Sequence, residues 1–139
     1  MQRPYRHLID TLRQAGLRPT RQRLALARSL FGETFRHVTA EQLHSEVSAD
    51  VRVSLATVYN ALHQFTAAGL LREVVVDPGR SYFDTNVADH HHFYLDDAGL
   101  LSDIPKEQVK VTGLPPPPAG TEIKCVDVVI RLASTVRDR

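Results

Sequence analysis

The chain has 139 residues, 42% of them hydrophobic and 24% charged, enough for one ordinary domain or two small ones with a buried core. Its net charge of +1 hides an asymmetry: residues 1–80 carry eleven Arg, no Lys and seven acids (net +4), whereas residues 81–139 carry six basic and nine acidic residues (net −3). The single cysteine, Cys125, excludes an internal disulfide and a cysteine-based zinc finger, so any metal must be held by nitrogen and oxygen. No apolar run approaches the roughly 18 residues of a membrane-spanning helix, and the opening MQRPYRHLID lacks the apolar stretch of a signal peptide. No membrane partner and a cytoplasmic location are therefore expected.

Four helices are predicted over the first 70 residues. Tyr5, Leu8, Ile9 and Leu12 share one face of the first, which Gly16 stops ahead of Pro19. Thr20 caps a second, whose apolar residues are Leu24, Ala27, Leu30 and Phe31. Thr39 with Gln42 forms a capping box for a third helix running to about Ala49, stapled by Val38 and Leu43. Ser54 caps a fourth, stapled by Val53 and Val58 and ending at Gly69.

After Gly69 the period changes from helical to alternating. Residues 70–76 and 80–85 read as two strands joined by the Asp77-Pro78-Gly79 turn, a hairpin directly behind a helix. That order is the layout of a winged helix-turn-helix. Residues 86–89 read as a hinge. Beyond it, strands are predicted at 90–96, 100–103, 108–111 and 122–132. The connector LPPPPAG is extended, and residues 134–139 form a frayed tail.

Two places carry chemistry. On the fourth helix Leu55, Val58, Leu62 and Phe65 form a core face, leaving Thr57, Tyr59, Asn60 and His63 to meet base edges or phosphates. Ser54, Tyr59 and Asn60 suit phosphate or base contact. Arg18, Thr20, Arg21 and Arg23 open the second helix with backbone-directed charge, and Arg80 marks the hairpin tip. The other place is DHHHFYLDDAG. Alternation along a strand sends His90 and His92 to one face and His91 to the other, so His90 and His92 make a two-nitrogen start for a metal. Asp84, Asp103 and His37 are candidates to complete it. Binding needs neutral imidazoles, so affinity should fall below about pH 6. Cys125, in an apolar stretch, is expected to be buried. His7, His44 and His63 are expected at the surface.

LATVYNALHQFTAAGLL, GLRPTRQRLALARSL and HVTAEQLHSEV, in this order, resemble the ferric uptake regulator (Fur) superfamily over nearly the whole chain. The resemblance implies an α+β fold: a winged-helix DNA-binding domain at 1–85, a hinge at 86–89, and a small α/β, mostly β, dimerisation and metal- or haem-sensing domain at 90–139. It implies a homodimer on double-stranded operator DNA and no enzyme. Asn60 stands where many relatives have Arg, which leaves the operator sequence open. The family pattern picks out His37, Asp84, His90, His92 and Asp103 as ligands of a divalent metal, and ligand type does not choose among Fe, Mn and Zn. Leu95 and Ala98 occupy the positions of the usual Cys-x-x-Cys pair, so no structural zinc site of that kind is expected. The three histidines, the missing cysteines and the short proline-rich connector resemble the iron response regulator (Irr) branch, whose members answer to iron and haem. For that branch His91 is a candidate haem or second-metal ligand. Glu107 is a candidate helper, while Val126 stands where relatives supply a further histidine. Control of iron-uptake and haem-synthesis genes is then implied; another metal- or peroxide-sensing regulator is the alternative. A metalloenzyme is the remote one, since HExxH, nucleophile-elbow and phosphate-loop motifs are all missing.

Overall fold

A computed structural model describes residues 6–136 of the chain. Tyr5 and residues 137–139 of the expected tail lie outside the described residues. The chain divides into two compact units, Met1–Val87 and Ala88–Arg139. Among the described residues no helix is long and apolar enough to cross a membrane.

The first unit contains α1 (Arg6–Gln14), α2 (Arg21–Leu30), β1 (His37–Val38), α3 (Ala40–Val47), α4 (Leu55–Ala67), β2 (Arg72–Asp77) and β3 (Arg80–Asp84). Three of its helices begin at hydroxyl caps. Thr20 accepts from the Arg23 amide, Thr39 from Gln42 and Ser54 from Thr57, each satisfying an amide that the first turn leaves unpaired. Helix α4 ends in a Schellman motif: Leu70 N–H bonds Phe65 O at 2.9 Å and Gly69 N–H bonds Thr66 O at 3.1 Å. Gly69 adopts φ +84°, a left-handed conformation open to glycine at little cost. Helix α3 stops at Val47, two residues short of the expected end, because Ser48–Asp50 turn back to bring Val51 and Val53 into the core.

One cluster forms this core, and it includes Leu12, Leu26, Leu30, Val38, Leu43, Val47, Val58, Leu62, Phe65, Leu71 and Phe83. Phe31 and Phe65 stack with centroids 6.4 Å apart, locking α2 onto α4. The β2–β3 hairpin pairs in antiparallel register, Val74 opposite Tyr82, with a bulge between Val75 and Asp77. The sheet has a third strand that sequence reading did not foresee. Strand β1 pairs with β3, His37 opposite Asp84 and Val38 opposite Phe83. Two residues show no periodicity, so the pattern held no signal for it.

The second unit is a three-stranded sheet in the order β5 (Leu100–Pro105), β4 (His90–Leu95), β6 (Val129–Leu132). Strands β4 and β5 are antiparallel, with His92 opposite Asp103; β4 and β6 are parallel, with His92 opposite Val129. Tyr94 is fully buried under the Arg131 guanidinium, which lies 5.7 Å from the ring centroid and bonds Asp96 at 2.8 Å. Here two expected strands differ. Residues 106–108 form a 3-10 turn and 109–111 pair with nothing regular, while 122–128 stay irregular and only the last four residues of EIKCVDVVIRL pair. Cys125 is correspondingly exposed, not buried. Apolar alternation alone does not make a strand: without a neighbour to take its hydrogen bonds the segment stays out of the sheet.

Candidate metal centre and nucleic-acid interface

Asp84 closes β3 and is fully buried, so its carboxylate needs partners in place of water. His37, across the ladder on β1, puts Nε2 at 3.2 Å from Asp84 Oδ2, and the Asn86 amide donates to Oδ1 at 2.9 Å. Arg36 anchors β1 to the helices. Its guanidinium donates twice to Glu46 on α3, at 2.9 and 2.7 Å, and once to Ser29 O on α2 at 2.8 Å. Its backbone amide donates to the Thr85 hydroxyl at 2.9 Å and its carbonyl accepts from Thr85 N–H at 3.1 Å. The hydrogen bonds from Arg36 hold the Glu46 carboxyl below its ordinary value, against burial that raises it, with Ser29 assisting.

In the second unit β4 alternates, with His90 and His92 buried and His91 half-exposed. The rings of His90 and His92 meet edge-on, centroids 4.5 Å apart, and both Nε2 atoms lie 3.3 Å from one oxygen, Asp103 Oδ1. His90 Nδ1 is hydrogen-bonded to the Ala88 carbonyl, which can only accept, so in the neutral ring the proton sits on Nδ1 and Nε2 carries the lone pair. In that form the lone pair faces a carboxylate oxygen, an arrangement that can take a cation between the two donors. Two donors each about 2.1 Å from one ion stand about 3.0 to 3.4 Å apart, the edge of an octahedron or tetrahedron. The separations of 3.2 Å in the first unit and 3.3 Å in the second match that edge, so the donor sets fit a divalent metal.

His91 is set up differently. The Val128 amide donates to its Nδ1 at 3.2 Å, so the neutral ring carries its proton on Nε2. That nitrogen is a hydrogen-bond donor, not a ligand, until the Val128 bond is released. His91 lines a groove with Asp89, Lys106, Val111, Leu114 and Cys125. Glu107 is exposed on the 3-10 turn.

On α4 the buried face is Val58, Ala61, Leu62 and Phe65, with Leu55 partly covered. Asn60 is exposed beside a shallow groove shared with α2, lined by Thr20, Gln22, Arg23, Thr57 and Gln64. Arg18, Arg21 and Arg80 are exposed. Arg23 is committed elsewhere: it donates to Gln64 Oε1 on α4 at 2.8 Å and to Arg18 O at 3.0 Å, bracing α2 against α4. Ser54 and Thr57 spend their hydroxyls on the cap and on each other, 2.9 Å apart. Tyr59 donates to Glu41 at 2.7 Å, a partner sequence reading missed because a helical wheel does not say which neighbour a flank side chain meets. His63 is exposed, 3.9 Å from Glu73. His7 is exposed, but His44 is half-buried with Nε2 2.9 Å from Val53 O, tying α3 to the loop before α4.

A sequence profile of the Ferric uptake regulator family matches residues 14–115. The chain is similar to the peroxide-responsive repressor PerR of Staphylococcus aureus (strain Mu50), with 35% identity over 102 residues that span 73% of this chain and 68% of that one. Its structure is similar to that of the ferric uptake regulator of Pseudomonas aeruginosa solved with manganese, at TM-score 0.66 and 28% identity over 91% of this chain and 97% of that one. The ferric uptake regulator of Vibrio cholerae shares the fold, at TM-score 0.69 and 22% identity over 91% and 99% of the two chains. With a winged helix, a small mostly β unit and a family profile matched over most of the polypeptide, the chain belongs to the ferric uptake regulator family, whose members are transcription regulators and not enzymes.

Proposed function

We propose that the protein is a homodimeric, metal-responsive regulator of transcription in which His37, Asp84, His90, His92 and Asp103 hold one divalent ion. The observation that most supports this is the His90–His92–Asp103 constellation, two imidazole nitrogens 3.3 Å from one carboxylate oxygen with the His90 lone pair turned toward it. Only residues 85–89 separate Asp84 from His90, and six extended steps reach about 20 Å at most, so the pair and the triad are tethered within easy reach. Three imidazoles and two carboxylates suit Fe(II), Mn(II) or Zn(II). A bound ion supplies a cross-link between the donors. His37 and Asp84 belong to the DNA-reading unit (1–85), and His90, His92 and Asp103 to the sensing unit (90–139) beyond the 86–89 hinge. Holding all five together restrains how α4 is presented to the major groove.

Double-stranded DNA is read by α4 through Asn60, with Arg18, Arg21 and the wing residue Arg80 on phosphates. Exposed Leu100, Ile130 and Leu132 on the outer strands of the second sheet suit burial against a second copy of the chain. Within the family, the three-histidine run, the absence of cysteines at 95 and 98 and the proline-rich connector favour the iron response branch, with iron-uptake and haem-synthesis genes as targets. Haem would then compete through His91; loss of the Val128 bond to His91 would loosen the joining of β4 to β6. A peroxide- or manganese-responsive regulator is the second reading, supported by the 35% identity to PerR.

The test is a titration of duplex DNA with and without Mn(II), Fe(II) or haem. Metal is expected to tighten binding about 5- to 150-fold, the usual span of allosteric coupling, and haem to reverse it. DNA affinity that is the same in the metal-free, metal-loaded and haem-loaded protein overturns the proposal.

A further inference from the structure

Tyr59 lies half-buried on α4, and its hydroxyl donates to Glu41 Oε1 in the first turn of α3 at 2.7 Å. On its other side the ring leans on His63, centroids 6.3 Å apart, and His63 in turn packs on Phe83 of the wing at 5.7 Å. Tyr59 is thus held from both flanks. A phenol has one proton, and a hydrogen bond to a carboxylate is short and charge-assisted, so this proton is spoken for. What the Tyr59 oxygen then offers to a ligand is a lone pair.

That settles which chemistry it can meet. Phosphate oxygens are acceptors and negatively charged; a lone pair beside the Glu41 carboxylate cannot bond them. The flank carries a second carboxylate, Glu73, next to His63, while the exposed arginines sit on other segments. The major groove, by contrast, presents amino donors at adenine N6 and cytosine N4, and the thymine methyl that a ring edge can touch. We propose that Glu41 is a positioning residue that converts Tyr59 from a phosphate contact into a reader of base edges. The proposal rests on α4 being the recognition helix.

Three variants test it, each compared with wild type on two DNAs in Mn(II) at fixed salt: duplexes that wild type selects from a pool with a randomised centre, and the non-specific duplex poly(dI·dC). Glu41→Ala frees the hydroxyl to donate to phosphate and removes a negative charge. Binding to poly(dI·dC) is expected to tighten, and discrimination for the selected duplex to fall about tenfold, the scale of one base contact. Tyr59→Phe loses discrimination similarly, and adding Glu41→Ala to it costs no more. Glu41→Gln, which can still accept the hydroxyl proton, keeps most of the discrimination. Ultraviolet titration of the tyrosines gives an independent readout: the Glu41 hydrogen bond raises the Tyr59 pKa, with burial adding, so Glu41→Ala lowers it. Equal changes on both DNAs, additive losses in the double variant, or an unmoved tyrosine titration overturn the proposal. If wild type itself shows no salt-dependent DNA binding, the recognition-helix reading falls and this one with it. If wild type discriminates and Glu41→Ala discriminates equally, only the positioning role falls.

Discussion

Around Arg36 a single side chain joins α2, α3 and the strand that carries His37, and Glu46 is where that join is most exposed to pH. Because the Glu46 carboxyl is held below its ordinary value of 4.5, its contribution to stability is present above that value and fades as pH falls through the lowered one. A third of its side chain is exposed, which screens the pair, so Glu46→Gln is expected to cost about 1 kcal/mol at neutral pH. Urea unfolding of wild type and variant should differ near pH 7 and converge below the ordinary carboxylate range. A gap that stays constant down to low pH would contradict the ion pair. Single residues were unevenly legible in the sequence. The division between His90/His92 and His91 follows from the period of two along a strand, and it needs no partner to be known. The partner of Tyr59, the commitment of Arg23 to Gln64 and the exposure of Cys125 depend on which segments meet, and composition is silent on that.

Elements were more legible where they punctuate themselves. The three hydroxyl caps, the stop at Gly69 and the turn at Asp77-Pro78-Gly79 are local chemistry, and the helices and wing begin and end beside them. Ser54 is the cap with most at stake, because it starts the helix proposed to read DNA. Ser54→Ala leaves the Thr57 amide unpaired and is expected to cost about 1 kcal/mol, lowering the midpoint of thermal unfolding by roughly 4 °C. An unchanged midpoint would mean that the cap is made by water instead. The misjudged elements are those defined by non-local pairing. Strand β1 exists because Val38 and His37 find β3, and β6 is short because only four residues align with β4. Residues 109–111 have strand-like composition and no adjacent ladder.

At the scale of the whole chain, the charge split makes physical sense once the roles are assigned. The net +4 of residues 1–80 belongs to the half proposed to meet a polyanion, and the net −3 of residues 81–139 to the stretch that supplies four of the five proposed metal ligands. The five proposed ligands come from spaced motifs that resemble the family's. What the structure adds is the donor separations, the tautomer of His90 and the contrary hydrogen bond of His91. The central claim, that residues on both sides of the hinge share one ion, is tested most directly by metal stoichiometry and affinity in His37→Ala, His92→Ala and His91→Ala proteins. One ion per chain is expected in wild type, weakened at least tenfold by His37→Ala and by His92→Ala alike and kept by His91→Ala, as befits one shared site. Wild-type metal affinity in His37→Ala would contradict the account.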